Sequence, residues 1–206
     1  MMKSTRRLDS AVSPVIGILL MIVVTVIIAA VVSGFAGNLV QSQQKVPQAQ
    51  LSGSFSVHDG FTIRHNGGDS IPTKDMMVTI RNSRLFGPDV EQRSIQVVNG
   101  TIITDSSDTK PWLFSNGTIG ITSFNAGETA LVNSTNCFCD KLQPIITPSD
   151  FAASISADGL TYSGTKTVFW GLCFKNPANV GKSFIMDVSD KATGKIISTA
   201  NVPITT

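Results

Sequence analysis

The chain reads as α+β: a long N-terminal hydrophobic α-helix followed by an all-β, sandwich-like head domain. Three observations predict this. Thirty-four consecutive residues, Ala11 to Gln44, carry no Asp, Glu, Lys, Arg or His. From Leu51 onward the pattern changes to short alternating apolar and polar runs separated by Gly, Asn, Asp and Pro, which is strand and turn chemistry. The length of 206 residues leaves room for one membrane segment and one domain of roughly 150 residues with its own core. The expected division is a leader over 1–10, a hydrophobic helix over 11–46 and a head over 47–206.

The leader is basic. Lys3, Arg6 and Arg7 stand against Asp9, and removing those ten residues leaves 13 bases (16 less three) and 13 acids (14 less one). A formally neutral remainder has no electrostatic basis for binding nucleic acid.

The helix begins at Ser13-Pro14, a capping hydroxyl followed by a residue that loses no intrahelical bond at the first position. Val15 to Val32 departs from strongly apolar character only at Gly17 and Thr25. A helix from Pro14 to about Gln44 would exceed ~40 Å at ~1.5 Å per residue, longer than the ~30 Å hydrocarbon core of a bilayer. Its β-branched content disfavours helix in water, but in lipid a single segment satisfies its backbone only as a helix. With the bases all on the leader side, the N-terminus stays cytoplasmic and residues after about 40 lie outside. Hydropathy alone fits a single-pass anchor as well as any other membrane helix, whereas a secretory signal has a shorter apolar core. Gly34 and Gly37 read as small residues near the helix end, the alternative being a joint to the head; Pro47 marks the helix as finished.

The wording of this segment is specific. Ala11-Val12-Ser13-Pro14-Val15-Ile16-Gly17, after a short basic leader and before an unbroken apolar run, closely resembles the N-terminal domain of archaeal type IV pilins. A second patch, Ile63-Arg64-His65-Asn66-Gly67-Gly68-Asp69-Ser70-Ile71-Pro72 with Asp75 to Ile80, resembles that family's early strand, glycine turn and next strand. The resemblance covers about the first 80 residues. It implies a class III signal peptide cut on the cytoplasmic side, between Ser10 and Ala11, by a prepilin peptidase. It also implies a homo-polymer through the N-terminal helix, a pilus assembly platform, a membrane-inserted precursor, and an extracellular filament serving adhesion to surface or glycan ligands. In this register the fifth mature residue is Val15, where bacterial pilins usually carry a glutamate. Filament packing must then rest on apolar helix surfaces. The alternative is a permanently anchored cell-surface binding protein with a β-sandwich head.

In the extracellular head the candidate strands are 54–57, 61–65, 77–81, 94–98, 129–132, 151–156, 167–174, 183–188 and 195–202. His58-Asp59-Gly60, Asn66-Gly67-Gly68, Asn99-Gly100, Asp158-Gly159 and Thr193-Gly194 divide them as turns. Trp112, Phe114, Phe138, Tyr162, Phe169, Trp170 and Phe174 are expected in the core, the alternative being an exposed binding platform, with 167–174 as a centrally buried strand. His58 and His65 are expected at the surface or in turns.

Asn99-Gly100-Thr101, Asn116-Gly117-Thr118 and Asn133-Ser134-Thr135 are three N-glycosylation acceptor patterns. Cys137, Cys139 and Cys173 allow one disulfide, Cys173 with Cys137 or Cys139, since residues two apart on a strand are poorly aimed at each other. Buried free thiols are the competing reading. No metal-site spacing, cofactor-binding glycine motif or catalytic signature occurs, so no catalytic, metal or cofactor residue is assigned and a structural, non-enzymatic role is expected.

Overall fold

A computed structural model describes residues 13–41 and 46–206. The chain divides after Lys45 into two compact units, and each is treated by itself. The first contains α1, Ser13–Gln41, a continuous helix of 29 residues that runs through Gly34 without a break.

The second unit is built on ten strands. In chain order they are β1 (Ala49–Ser56), β2 (Gly60–Gly68), β3 (Ile71–Pro72), β4 (Met76–Asn82), β5 (Gln96–Val97), β6 (Thr104–Asp105), β7 (Ser123–Phe124), β8 (Thr129–Asn133), β9 (Ser183–Asp190) and β10 (Ile196–Thr205). Eight form one half-barrel sheet in the order β5-β4-β9-β10-β1-β2-β8-β6, and β3 pairs with β7 separately. The layout expected from sequence, an apolar helix followed by a β-rich domain, is the one observed. The layer facing the large sheet is built mainly from loops and one-turn helices.

Alternation sets which face is buried. Phe61, Ile63 and His65 on β2, Met76, Val78, Ile80 and Asn82 on β4, and Phe184, Met186 and Val188 on β9 all point into the core. Side chains of a strand alternate between faces, so one register places each set together. Phe174 stacks on Phe184 with ring centroids 4.0 Å apart, and Phe55 and Phe61 meet Phe184 edge-on at 5.8 and 5.5 Å. The core is closed by Ile103, Trp112 and Phe124 from the 99–124 segment and by Leu142 and Phe174 further on. The opposite face is polar where β9 crosses it. Asp187 pairs with Arg81 at 3.1 Å and accepts a hydrogen bond from Thr199 at 2.7 Å, bridging β4, β9 and β10.

Two expected strands are helical. Residues 151–156 start as α4 (Phe151–Ser154), and 167–174 form α5 (Thr167–Trp170) followed by turns; α2 (Val90–Arg93) and α3 (Cys139–Leu142) precede them. The apolar run at 167–174 looked like a strand, yet side-chain amides occupy the carbonyls that a neighbouring strand would use. Asn179 Nδ2 donates to the carbonyls of Gly171 and Cys173, Asn176 Nδ2 to Trp170, and Asn82 Nδ2 and Gln143 Nε2 to Leu172. Local side-chain bonds of this kind compete directly with sheet ladders. Val168 is 78% exposed as a result, so the segment is not a buried strand. The run 94–98 shortens to the two residues of β5.

Candidate functional site

Every residue from Val15 to Phe35 on α1 has an exposed side chain or surface. These 21 residues meet the length and composition needed to cross a membrane, since ~1.5 Å per residue gives about 30 Å. The apolar surface runs all the way round, whereas a helix docked on a soluble core presents one stripe. Thr25 Oγ1 donates to the Ile22 carbonyl at 2.8 Å, so this hydroxyl carries no unmet hydrogen bond into an apolar medium. Val15, Ile16 and Gly17 of the sequence motif lie in the exposed first turns. Gly17 has open space where a Cβ would stand, and Ile16, Leu19, Leu20 and Val23 line a shallow apolar groove beside it. Small residues permit close helix approach and larger neighbours supply contact area. Lys3, Arg6, Arg7, Ser10 and Ala11 lie outside the described residues.

The second patch of the resemblance forms a clasp on the chain where the head begins. The Asp69 amide donates to the Gln48 carbonyl at 2.7 Å, and the Gln48 amide donates back to Asp69 Oδ2 at 3.2 Å. Gly68 makes this approach possible: at φ +108°, a Cβ would lie 2.3 Å from the Gln48 carbonyl oxygen. His65 is fully buried, with Nε2 donating to the Asp69 carbonyl at 3.0 Å and its ring edge-on to Phe124 at 5.4 Å. This corrects the expected surface role. The turn through Gly67 and Gly68 brings Asp69 back over β2, giving the imidazole a partner inside the core. His58 lies exposed in the β1–β2 turn.

Cys139 and Cys173 form a disulfide with Cα atoms 5.6 Å apart, and Cys137 is a buried free thiol. Burial pushes that thiol up to about 12. The bridge sits in a small cluster with Ile146 and Phe151, against Tyr162 and Trp170. Among the expected core aromatics, Trp112 and Phe174 are buried and Phe138, Tyr162 and Trp170 half-buried, while Phe114 and Phe169 are exposed, at 42% and 39%, which corrects the expectation for those two.

Sequence reasoning missed the polar supports of this region. Gln143 Oε1 accepts from the Phe174 amide at 2.7 Å, and its Nε2 reaches Asn82. Lys175 is buried, with Nζ donating to the Ser134 carbonyl and hydroxyl at 2.8 and 2.7 Å and lying 4.5 Å from the centre of the Phe138 ring. Burial lowers its pKa, with Cys137 and Asp158 opposing the shift. The nearest signal in the sequence was Asn176-Pro177-Ala178-Asn179, which reads as a capped turn.

The three acceptor asparagines share one local turn. In each, the amide of the threonine two residues on donates to the asparagine Oδ1 at 3.0 Å. Asn99 and Asn116 are exposed, whereas Asn133 ends β8 and its Nδ2 donates to Asp108 Oδ2 at 2.6 Å. Among the described residues no cluster of three or more His, Cys, Asp or Glu has metal-binding placement. A cleft of about 680 Å³ is lined by Arg81, Arg84, Asp89 and Glu91 among others. Its bases are engaged, Arg84 with Glu91 at 3.5 Å and Arg81 with Asp187.

Known proteins share parts of this sequence. An uncharacterized protein of Archaeoglobus fulgidus is 37% identical over 78 residues, covering 36% of this chain and 55% of that protein. The chain thus spans about half the length of that relative. The family model for the N-terminal region of archaeal type IV pilins matches residues 10–51, from the expected cleavage point through α1 to the first residues of β1. The chain therefore carries an archaeal type IV pilin N-terminal domain.

Proposed function

We propose that the chain is a structural subunit of a type IV pilus-like extracellular filament. It is made as a membrane precursor with its N-terminus inside and residues after about 40 outside. A prepilin peptidase removes the leader between Ser10 and Ala11. An assembly platform then passes the subunit into a homo-polymer whose interior is α1 and whose exterior displays the head for surface adhesion. The observation that carries this reading is the helix itself, apolar on every side from Val15 to Phe35 within a segment matching the pilin N-terminal domain. Such a surface is stable only in lipid or against other apolar helices; each large side chain contributes on the order of 1 kcal/mol or more when removed from water.

The test is mass spectrometry of material sheared from cells. A mature N-terminus at or near Ala11 in a filament fraction supports the reading. Recovery only in membranes, with Lys3 to Ser10 still attached, overturns it in favour of a permanently anchored binding protein.

A further inference from the structure

We infer that the fold sorts the three N-glycosylation acceptors: Asn99 and Asn116 are modified, and Asn133 is kept bare by Asp108. The inference rests on the outward-facing head proposed above.

The chemistry requires a free carboxamide. Asn Nδ2 attacks the anomeric carbon of a sugar carried on a membrane lipid through a phosphate. The new C–N bond replaces the C–O bond to phosphate, the lipid phosphate leaves, and one Nδ2 proton goes to a base of the transferase. An Nδ2 already donating to a fixed carboxylate is not presented for this attack, and the chain around it must be able to leave its place.

The three sites differ on both counts. Asn116 sits at the tip of a tight turn in which Gly117 donates to the Phe114 carbonyl and adopts φ +84°. Asn99 opens a turn closed by the Ile102 amide on its own carbonyl. Their Nδ2 atoms have no hydrogen-bond partner among the described residues. Both belong to one lobe, since the Leu113 amide donates to the Gly100 carbonyl. At Asn133, by contrast, Nδ2 is held by Asp108, and Oδ1 accepts from both the amide and the hydroxyl of Thr135, each at 3.0 Å. The acceptor and the hydroxyl a transferase would read are thus both engaged. The backbone is pinned as well: Asn133 pairs with Gly60 across β8 and β2, so close that a Cβ on Gly60 would stand 2.8 Å from the Ser134 nitrogen. Asp108 is itself fixed at φ +53° by its turn and accepts from Thr104 Oγ1 at 2.8 Å.

The experiment is site-by-site occupancy by peptide mass spectrometry of the full chain expressed in an archaeal host with active N-glycosylation. Protease accessibility of the head on intact cells is scored in parallel. Glycopeptides at Asn99 and Asn116 with Asn133 at least tenfold less occupied support the inference. Asp108→Gly suits the left-handed backbone and removes the acceptor, and it is expected to raise Asn133 occupancy severalfold; Asp108→Asn gives a smaller rise in the same direction. Asn133 occupied like the others in the unaltered chain overturns the proposal, and so does an Asn133 that stays bare in both variants. Three bare sites on a protease-accessible head also overturn it, whereas three bare sites on a protected head bring down the outward-facing reading and this inference with it.

Discussion

A single buried charge is expected to separate the membrane insertion and the filament assembly proposed above. Val24 lies near the middle of the Val15–Phe35 span, and Val24→Asp puts a carboxylate there that is too short to reach the interface. Fifteen large apolar side chains in this span are exposed to whatever surrounds the helix. At roughly 0.3–0.6 kcal/mol each on an insertion scale they favour the membrane by about 5–9 kcal/mol, against about 2.5–3.5 kcal/mol for one aspartate at the centre. Insertion survives with a margin of a few kcal/mol. A packed bundle of such helices has no base between Ala11 and Gln44 to pair with the new charge, and an unpaired buried ion costs several kcal/mol in every subunit. Fractionation into membranes and sheared material, quantified by peptide mass spectrometry, is expected to show membrane levels within about twofold of wild type. The filament fraction is expected to fall more than tenfold, since ~1.4 kcal/mol already gives a factor of ten, while Val24→Leu leaves both unchanged. Wild-type filament yield from Val24→Asp would refute burial of this surface in the polymer, and parallel loss from both fractions would refute the insertion margin.

Other perturbations test the head. Replacing Cys139 and Cys173 with serine opens a link between residues 34 apart; the chain-entropy relation gives a loss of about 3–4 kcal/mol, to be read as a lower denaturant midpoint in detergent. Gly68→Ala forces a Cβ into the Gln48 carbonyl at positive φ. A destabilisation of about 1–3 kcal/mol is expected, with faster amide exchange at Gln48 and Asp69; unchanged exchange there would remove the clasp from the account. Phe184→Ala removes the ring that Phe55, Phe61 and Phe174 share and is expected to cost about 3–5 kcal/mol in chemical denaturation. Cys137, raised from its ordinary value of 9.0 to about 12, keeps its proton longer in the fold than in the unfolded chain. Its contribution to stability is complete below pH ~9 and declines as pH rises toward 12. Alkylation at pH 8 is accordingly expected only on unfolding, and rapid native-state labelling would contradict the burial.

The parts legible in sequence were those where one local signal met no rival. Thirty-four uncharged residues admit few solvents. Gly60 and the pair Gly67-Gly68 mark the two ends of β2 because side chains rarely adopt their positive φ values. The strands at 61–65 and 77–81 are contained in longer ones, and their period-two burial carries through. The failure at 167–174 has a definite physical source. Asn176, Asn179 and Gln143 supply side-chain partners for carbonyls that periodicity assigned to a sheet, and Gln143 lies far from them along the chain. His65 was misplaced for a related reason: its partner is a backbone carbonyl four residues on, reachable only once Gly67 and Gly68 have reversed the chain. The difference between Asn133 and the other acceptors depends on Asp108, 25 residues away, which no motif encodes.

The position of β1 gives the head a mechanical character. The chain enters at Val46, is gripped at Gln48 and continues as a strand flanked by β2 on one side and β10 on the other. Tension applied along the chain at Val46 meets a central strand, and extracting it requires the β1–β2 ladder and the β1–β10 contacts to yield together. An edge strand such as β5 would peel one bond at a time. In the filament proposed above, load reaching the head along the chain passes through this segment, so the head is expected to fail by abrupt shear at high force. Single-molecule pulling from position 46 would register that as one tall peak.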